Sequence, residues 1–248
     1  MDSHITIPRR VFKEFINKNK FYYAYSVKTG HIGKSYPKST YTQEGYYSDQ
    51  MERALNRYVE QNLPKLLAFV RDIPNRASPI MLSNDLKKIA WTYVRSLIAR
   101  SPILHEGVSK DNGAIQLLSE QDQHDVVVDY AMRNGNMDEL IDKFELSFIS
   151  NQTKTEFVIP TSGLYEVTLG DVHCIIVPIN PYGGIMLKEK GKSIHEYNVG
   201  KNELIALPKG FDDVVEQFNS KAFRTQLQDG IGYVISSDRR VLEKLSKG

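Results

Sequence analysis

One cysteine stands in the whole 248-residue chain, Cys174, inside the apolar run "VHCIIVPI". A lone thiol closes no intrachain disulfide, which fits a reducing compartment. Cys174 is expected to be a buried, inert thiol rather than a nucleophile. Long hydrophobic runs are missing too: none approaches the roughly 18 residues that a membrane helix needs. The first residues lack the apolar core of a secretion signal. A cytoplasmic protein with no membrane partner is the expectation.

Compact signatures of common chemistries are also missing. "GHIGKS" (Gly30–Ser35) imitates the end of a phosphate-binding loop, but Lys28 stands where that loop needs its first glycine. "KGKS" (190–193) fails likewise, with Met186 in that place. The six histidines (His4, His31, His105, His124, His173, His195) show no metal-ligand helical spacing. Solvated or hydrogen-bonded imidazoles are expected, with no metal and no cofactor. No G-x-S-x-G elbow is present, which argues against an α/β-hydrolase.

What is present is uneven charge. The formal net charge is only +2, so the molecule is no polycation. Residues 1–40, however, hold eight Lys/Arg against two acids, a net of +6. Residues 111–145 hold nine acids against Arg133 and Lys143, a net of −7. The two stretches are either solvated faces or mutually attractive surfaces, within one chain or between chains. The basic stretch is interleaved with Phe12, Phe15, Phe21, Tyr22, Tyr23, Tyr25, Tyr36 and Tyr41. Such aromatics either line a core or stack bases beside phosphate-binding cations.

The pattern predicts an α+β fold. Pro8 suits the first turn of a helix whose apolar face is Phe12, Phe15 and Ile16. A strand pair follows over "KFYYAYSVKTGHIGKSYPKS". Ser48 caps a long helix with a stripe of Met51, Leu55, Tyr58, Leu63, Leu66, Leu67 and Val70, kinked at Pro64. Ser83 caps a second helix with Leu86, Ile89, Ala90, Tyr93, Val94, Leu97 and Ile98 on one face. A third helical region starts near Ser119, breaks at 134–136, and resumes to about Phe144. Short strands then alternate with turns, with one helix at "GFDDVVEQFNSKAF" and another at the end. One domain, 1–248, is expected. Its helical section spans about 48–144, and its mostly antiparallel, sheet-rich section spans about 145–248, completed by the hairpin 21–41.

The order of "SHITIPRRVFKEF", "FYYAYSVKTG", "YYSDQMERAL", "YVRSLIAR", "EFVIPTSG", "VPINP" and "GIGYVISSD" resembles the bacterial domain-of-unknown-function family 4238. The spacing between His4 and Pro8 is one residue longer than in that family. "PTSGLY" lacks the family's Asp and the Pro after it. The resemblance implies fold and residues of interest, not a reaction.

A site sketched on these positions has His4 as acid or base and Glu52 as a base or as the partner of Arg95. Arg9, Arg95 and Arg100 offer planar forks for phosphate or carboxylate. Asn151, Thr161, Ser162 and Asn180 would orient a ligand, and the "PTSG" turn offers backbone N–H groups to an anion. Alternatively, Glu52 and Arg95 form a structural ion pair between packed helices. Three readings follow. The first is a protein acting on or binding a nucleic acid or phosphorylated ligand, as a bacterial or phage accessory or defence factor. The second is a non-enzymatic module that binds a protein partner or forms a homo-oligomer. The third is a hydrolase or transferase built on His4, Glu52 and Arg95.

Overall fold

The computed structural model describes residues 2–73, 82–134, 137–192 and 204–248; of residues 2–4, 103, 104, 109–111, 134, 137 and 138 only the backbone is described. Ser193, His195 and, of the break expected at 134–136, residues 135 and 136 lie outside the described residues, and Asn134 ends a helix. Helix makes up 46% and strand 24% of the described residues, segregated along the chain rather than alternating, so the α+β class is borne out.

Strand β1 (Asp2–His4) leads into helix α1 (Arg9–Phe12), which tightens into a 3-10 turn at Lys13–Phe15. Pro8 sits at the N-cap, one step earlier than expected, and Val11, Phe12 and Phe15 are fully buried. The predicted hairpin forms as β2 (Tyr22–Ser26) and β3 (Ile32–Ser35), joined antiparallel. Most of the N-terminal aromatics serve the core: Phe12, Phe15, Phe21 and Tyr22 are buried, Tyr23, Tyr25 and Tyr41 pack partly buried against it, and Tyr36 is exposed. Strand β4 (Thr42–Glu44) pairs with β1.

Ser48 caps α2 (Asp49–Leu55), its Oγ accepting from the Met51 amide at 3.2 Å. The long helix expected from here does not run through. A π turn occupies Asn56–Glu60, and a new helix, α3 (Leu63–Asp72), starts beyond it. Pro64 therefore lies in the first turn of a helix, where its missing N–H costs nothing, and does not kink one. The wide turn also breaks the expected stripe: Tyr58 points to solvent at 61% exposure, and Val59 is buried in its stead. Ser83 caps α4 (Asn84–Ala99) as expected, accepting from the Leu86 amide at 3.2 Å. Two helices not expected from sequence follow, α5 (Pro102–Asp111) and α6 (Gly113–Gln116). Next come α7 (Glu120–Asn134) and α8 (Met137–Lys143). Ser119 Oγ accepts from the Asp122 amide at 3.2 Å and bonds the Asp122 carboxylate at 2.6 Å, an Asp variant of the capping box.

The second half supplies β5 (Phe144–Asn151), β6 (Ile159–Pro160), β7 (Tyr165–Leu169), β8 (Val172–Asn180), β9 (Gly183–Glu189) and β10 (Leu204–Leu207). Helix α9 (Asp212–Asp229), β11 (Tyr233–Ser236) and α10 (Arg239–Leu245) complete it. Five strands form one sheet in the order β10–β5–β9–β8–β7, antiparallel except for β10 on β5. The N-terminal hairpin does join late strands, but in a second sheet, β3–β2–β11–β6.

Both faces of the large sheet are buried, which is why "VHCIIVPI" reads as an unbroken apolar run. Ile175, Val177 and Ile179 face a core shared with α1, α3 and α4. Cys174 and Ile176 face a second core, under Val215, Phe218, Ala222 and Phe223 of α9. Burial pushes the Cys174 thiol up to about 12, so it is inert as expected. A third, small core joins Ile5, Tyr46, Tyr47, Met51, Leu55 and Val128. No helix among the described residues is long and apolar enough to cross a membrane.

Candidate functional site

The residues singled out from sequence fall into separate neighbourhoods. Asn151 and Asn180 tie off the turns at one end of the large sheet. Asn151 Nδ2 donates to the Thr155 carbonyl at 2.8 Å, and Asn180 Oδ1 accepts from the Tyr182 amide at 2.8 Å. Thr161 and Ser162 are joined through Gln226 of α9, whose Oε1 accepts from Thr161 Oγ1 at 3.2 Å and from the Ser162 amide at 3.0 Å. Thr161 Oγ1 also accepts from the Tyr233 amide at 2.9 Å. Gly232 permits this approach: it has a positive φ of 80°, and any Cβ there would strike the Thr161 hydroxyl. The "PTSG" amide at Ser162 is thus spent inside the protein and is not presented to an anion. Arg9 lies exposed on α1. His4 pairs through its backbone with Thr42, and its side chain lies outside the described residues.

Glu52 and Arg95 are not ion-paired. Arg95 Nε donates instead to the Ala131 carbonyl of α7 at 3.0 Å. Glu52 Oε1 is buried without a hydrogen-bond partner, and its carboxylate adds a small upward push to the Tyr47 phenol, which is raised chiefly by burial. Arg100 acts on the same phenol from its own position. It is 1% exposed, donates from Nε to the Ile5 carbonyl at 3.3 Å, and sits 5.6 Å from the Tyr47 ring centre.

A buried polar nest surrounds Arg100. Burial raises the phenols of Tyr46, Tyr47 and Tyr93, with Tyr46 reaching about 12, and the guanidinium opposes each rise. Burial also lowers His105 to about 4, with smaller contributions from His124 and Arg100. His105 Nε2 lies 2.8 Å from the Ala99 carbonyl, an acceptor only, so Nε2 carries the proton. Tyr46 stacks on His124 at 3.8 Å between ring centres. Both histidines are hydrogen-bonded to backbone carbonyls. Among the described residues, no group of three or more His, Cys, Asp or Glu is placed to hold a metal.

The most ligand-like feature lies elsewhere, where α9, α10 and the hairpin meet. A cleft of about 590 Å³ opens there. Its floor is apolar, with Tyr25 and Phe223 (ring centres 4.7 Å apart), Leu227, Val241 and Leu245. Its rim carries Lys154, Arg224, Arg240 and Lys244. Arg240 is engaged by Asp238, Nη2 to Oδ2 at 2.6 Å, and Lys244 by Glu216. Lys154 and Arg224 make no side-chain ion pair among the described residues. The Lys154 loop is fixed by Asp212, whose Oδ1 accepts from the amides of Lys154 and Thr155 at 3.0 and 2.9 Å. The Thr155 hydroxyl, first among several donors, holds Asp212 below its ordinary range. Arg224 also borders a neighbouring hollow of about 560 Å³ that contains Lys221, so the two run together along α9. Of this set, only Tyr25 was marked in the sequence, as one of the N-terminal aromatics. The four cations come from positions 154 to 244 and share no local motif. Comparison with protein-family models, with curated proteins and with solved structures finds no match.

Proposed function

We propose that this chain binds a phosphate-bearing ligand, a nucleotide or a short single strand of nucleic acid, in the cleft between α9 and α10. The observation that supports the reading is the cleft's construction: an apolar, partly aromatic floor and four cations on the rim, of which Lys154 and Arg224 are in no close side-chain ion pair among the described residues, with Glu216 as the acid on the lining. Its volume lies in the range of small-molecule sites. Guanidinium and ammonium groups attract phosphate, while apolar and aromatic side chains hold a base. The continuation past Lys221 and Arg224 leaves room for a strand. The eight bases of residues 1–40 are all exposed and add to the positive field.

Titration with AMP and with a fluorescein-labelled short oligothymidine tests this. Both are expected to bind, and the double variant Lys154→Glu/Arg224→Glu is expected to lose roughly 100-fold in affinity through reversal of two contacts. No binding of either probe by the folded protein, or equal binding by the double variant, would sink the reading. A second reading, self-association, is favoured by Val126 and Tyr130, which stand exposed on acidic α7. Light scattering that shows a monomer at both low and high salt would remove it.

A further inference from the structure

A second groove, independent of the phosphate cleft, lies between α2, α4 and α7. It encloses about 460 Å³. Met51, Ala54, Leu55 and Met132 make an apolar wall continuous with the third core. Arg95 enters from α4, and Tyr58 stands at the rim, carried outward by the π turn. The Nε–H of Arg95 is fixed on the Ala131 carbonyl, and its two terminal nitrogens make no hydrogen bond or ion pair among the described residues. A half-buried guanidinium held by one edge presents its other donors to the groove in a set direction. That is the arrangement for receiving a planar, two-oxygen anion.

The surroundings select which anion. Arg133 is already paired with Asp129, Nε to Oδ1 at 2.7 Å. One guanidinium is therefore available, on a wall shared with a helix that also carries Glu120, Asp122 and Asp125. A doubly charged phosphate would meet this acidic field with a single counter-charge, whereas a carboxylate is matched one to one. The methionines are flexible and polarizable, and fill against an unbranched chain better than against a rigid ring.

We infer that this groove is a binding site for a carboxylate-bearing aliphatic ligand, with the carboxylate on Arg95 and the chain along Met51, Leu55 and Met132. The single tryptophan, Trp91, lies one turn before Arg95 on α4 and reports on the site. Decanoate is expected to change Trp91 emission saturably, and 1-decanol to bind at least about tenfold more weakly, lacking the charge-assisted pair. Arg95→Gln should lose decanoate about tenfold or more while AMP and oligothymidine bind as before. Should Arg95→Gln fail to fold, Ala54→Phe, which fills the apolar wall and keeps the arginine, should lose it too. Unchanged decanoate affinity in a folded variant, equal binding of decanol, or no saturable response in the parent would each overturn the inference. None of these outcomes bears on the phosphate cleft.

Discussion

Two grooves in this molecule hold an arginine above an apolar floor, and the two arginines are set to do different work. Arg224 is exposed on α9, among Lys154, Lys221, Arg240 and Lys244. Its contribution is part of a shared field, open to water and to salt. Arg95 is half-buried, fixed by a backbone carbonyl, and nearly alone beside an acidic helix. Its contribution is directional and local. The same side chain therefore favours a multiply charged ligand in one place and a singly charged one in the other. Neighbouring charges and the degree of anchoring decide this, not the residue type.

The comparison can be sharpened most by pH, because among the described residues only the helical side holds a buried imidazole forced neutral. His105 is depressed from 6.5 to about 4, chiefly by burial. The unfolded chain then takes up a proton that the folded chain refuses, so stability is complete above pH 6.5 and is lost as pH falls toward 4. The expected loss is on the order of 3 kcal/mol, at about 1.4 kcal/mol per unit. Thermal unfolding of the parent and of His105→Asn over this range should show a steep slope in the first and a shallower one in the second. Parallel slopes would mean that carboxylates elsewhere dominate.

Salt comes next. With Lys154 and Arg224 as the two phosphate contacts, oligothymidine affinity should fall with a log–log slope of about −1.4, roughly 25-fold for a tenfold rise in salt. Decanoate binding at Arg95 should weaken by no more than about threefold over the same range, since a partly buried contact is screened less. Equal slopes would dissolve the distinction. A smaller effect is expected from Glu216→Gln, which releases Lys244 and should tighten oligothymidine about two- to fivefold, the scale of an exposed ion pair. Smallest is Asp129→Asn. Loss of its pair with Arg133 should cost about 0.3–0.5 kcal/mol of stability, while decanoate binds slightly better without the nearby carboxylate.

Local signals in the sequence were legible and nonlocal ones were not. Ser48 and Ser83 marked helix starts because capping depends on neighbours three residues away. The hairpin at β2 and β3 and the doubly buried β8 were readable from residue pattern alone. The N-terminal aromatics were ambiguous in sequence, and packing resolved most of them toward the core. Strand β10 escaped notice because its four residues gain their identity by pairing parallel with β5, some 55 positions earlier. Arg95 stands out in the sequence as a ligand-holding group, and the ion pair with Glu52, one of two roles open to that carboxylate, does not form. Arg95 reaches α7 instead, where its Nε donates to the Ala131 carbonyl. The cations of the α9 cleft escaped altogether, since no spacing rule links Lys154 to Arg224 and Lys244 before the chain is folded.

The π turn at Asn56–Glu60 also sets the rotation of α2 against α4. A π turn holds one residue more than an α-helical turn of the same rise. Each residue of an α-helix advances the chain by about 100°, and removing one here would return the turn to regular winding. Every side chain from Tyr58 back to the start of α2 would then be rotated by that angle against α4. A one-codon deletion at this point, which changes no core residue's identity, would move Tyr58 off the rim and close the groove beside Arg95.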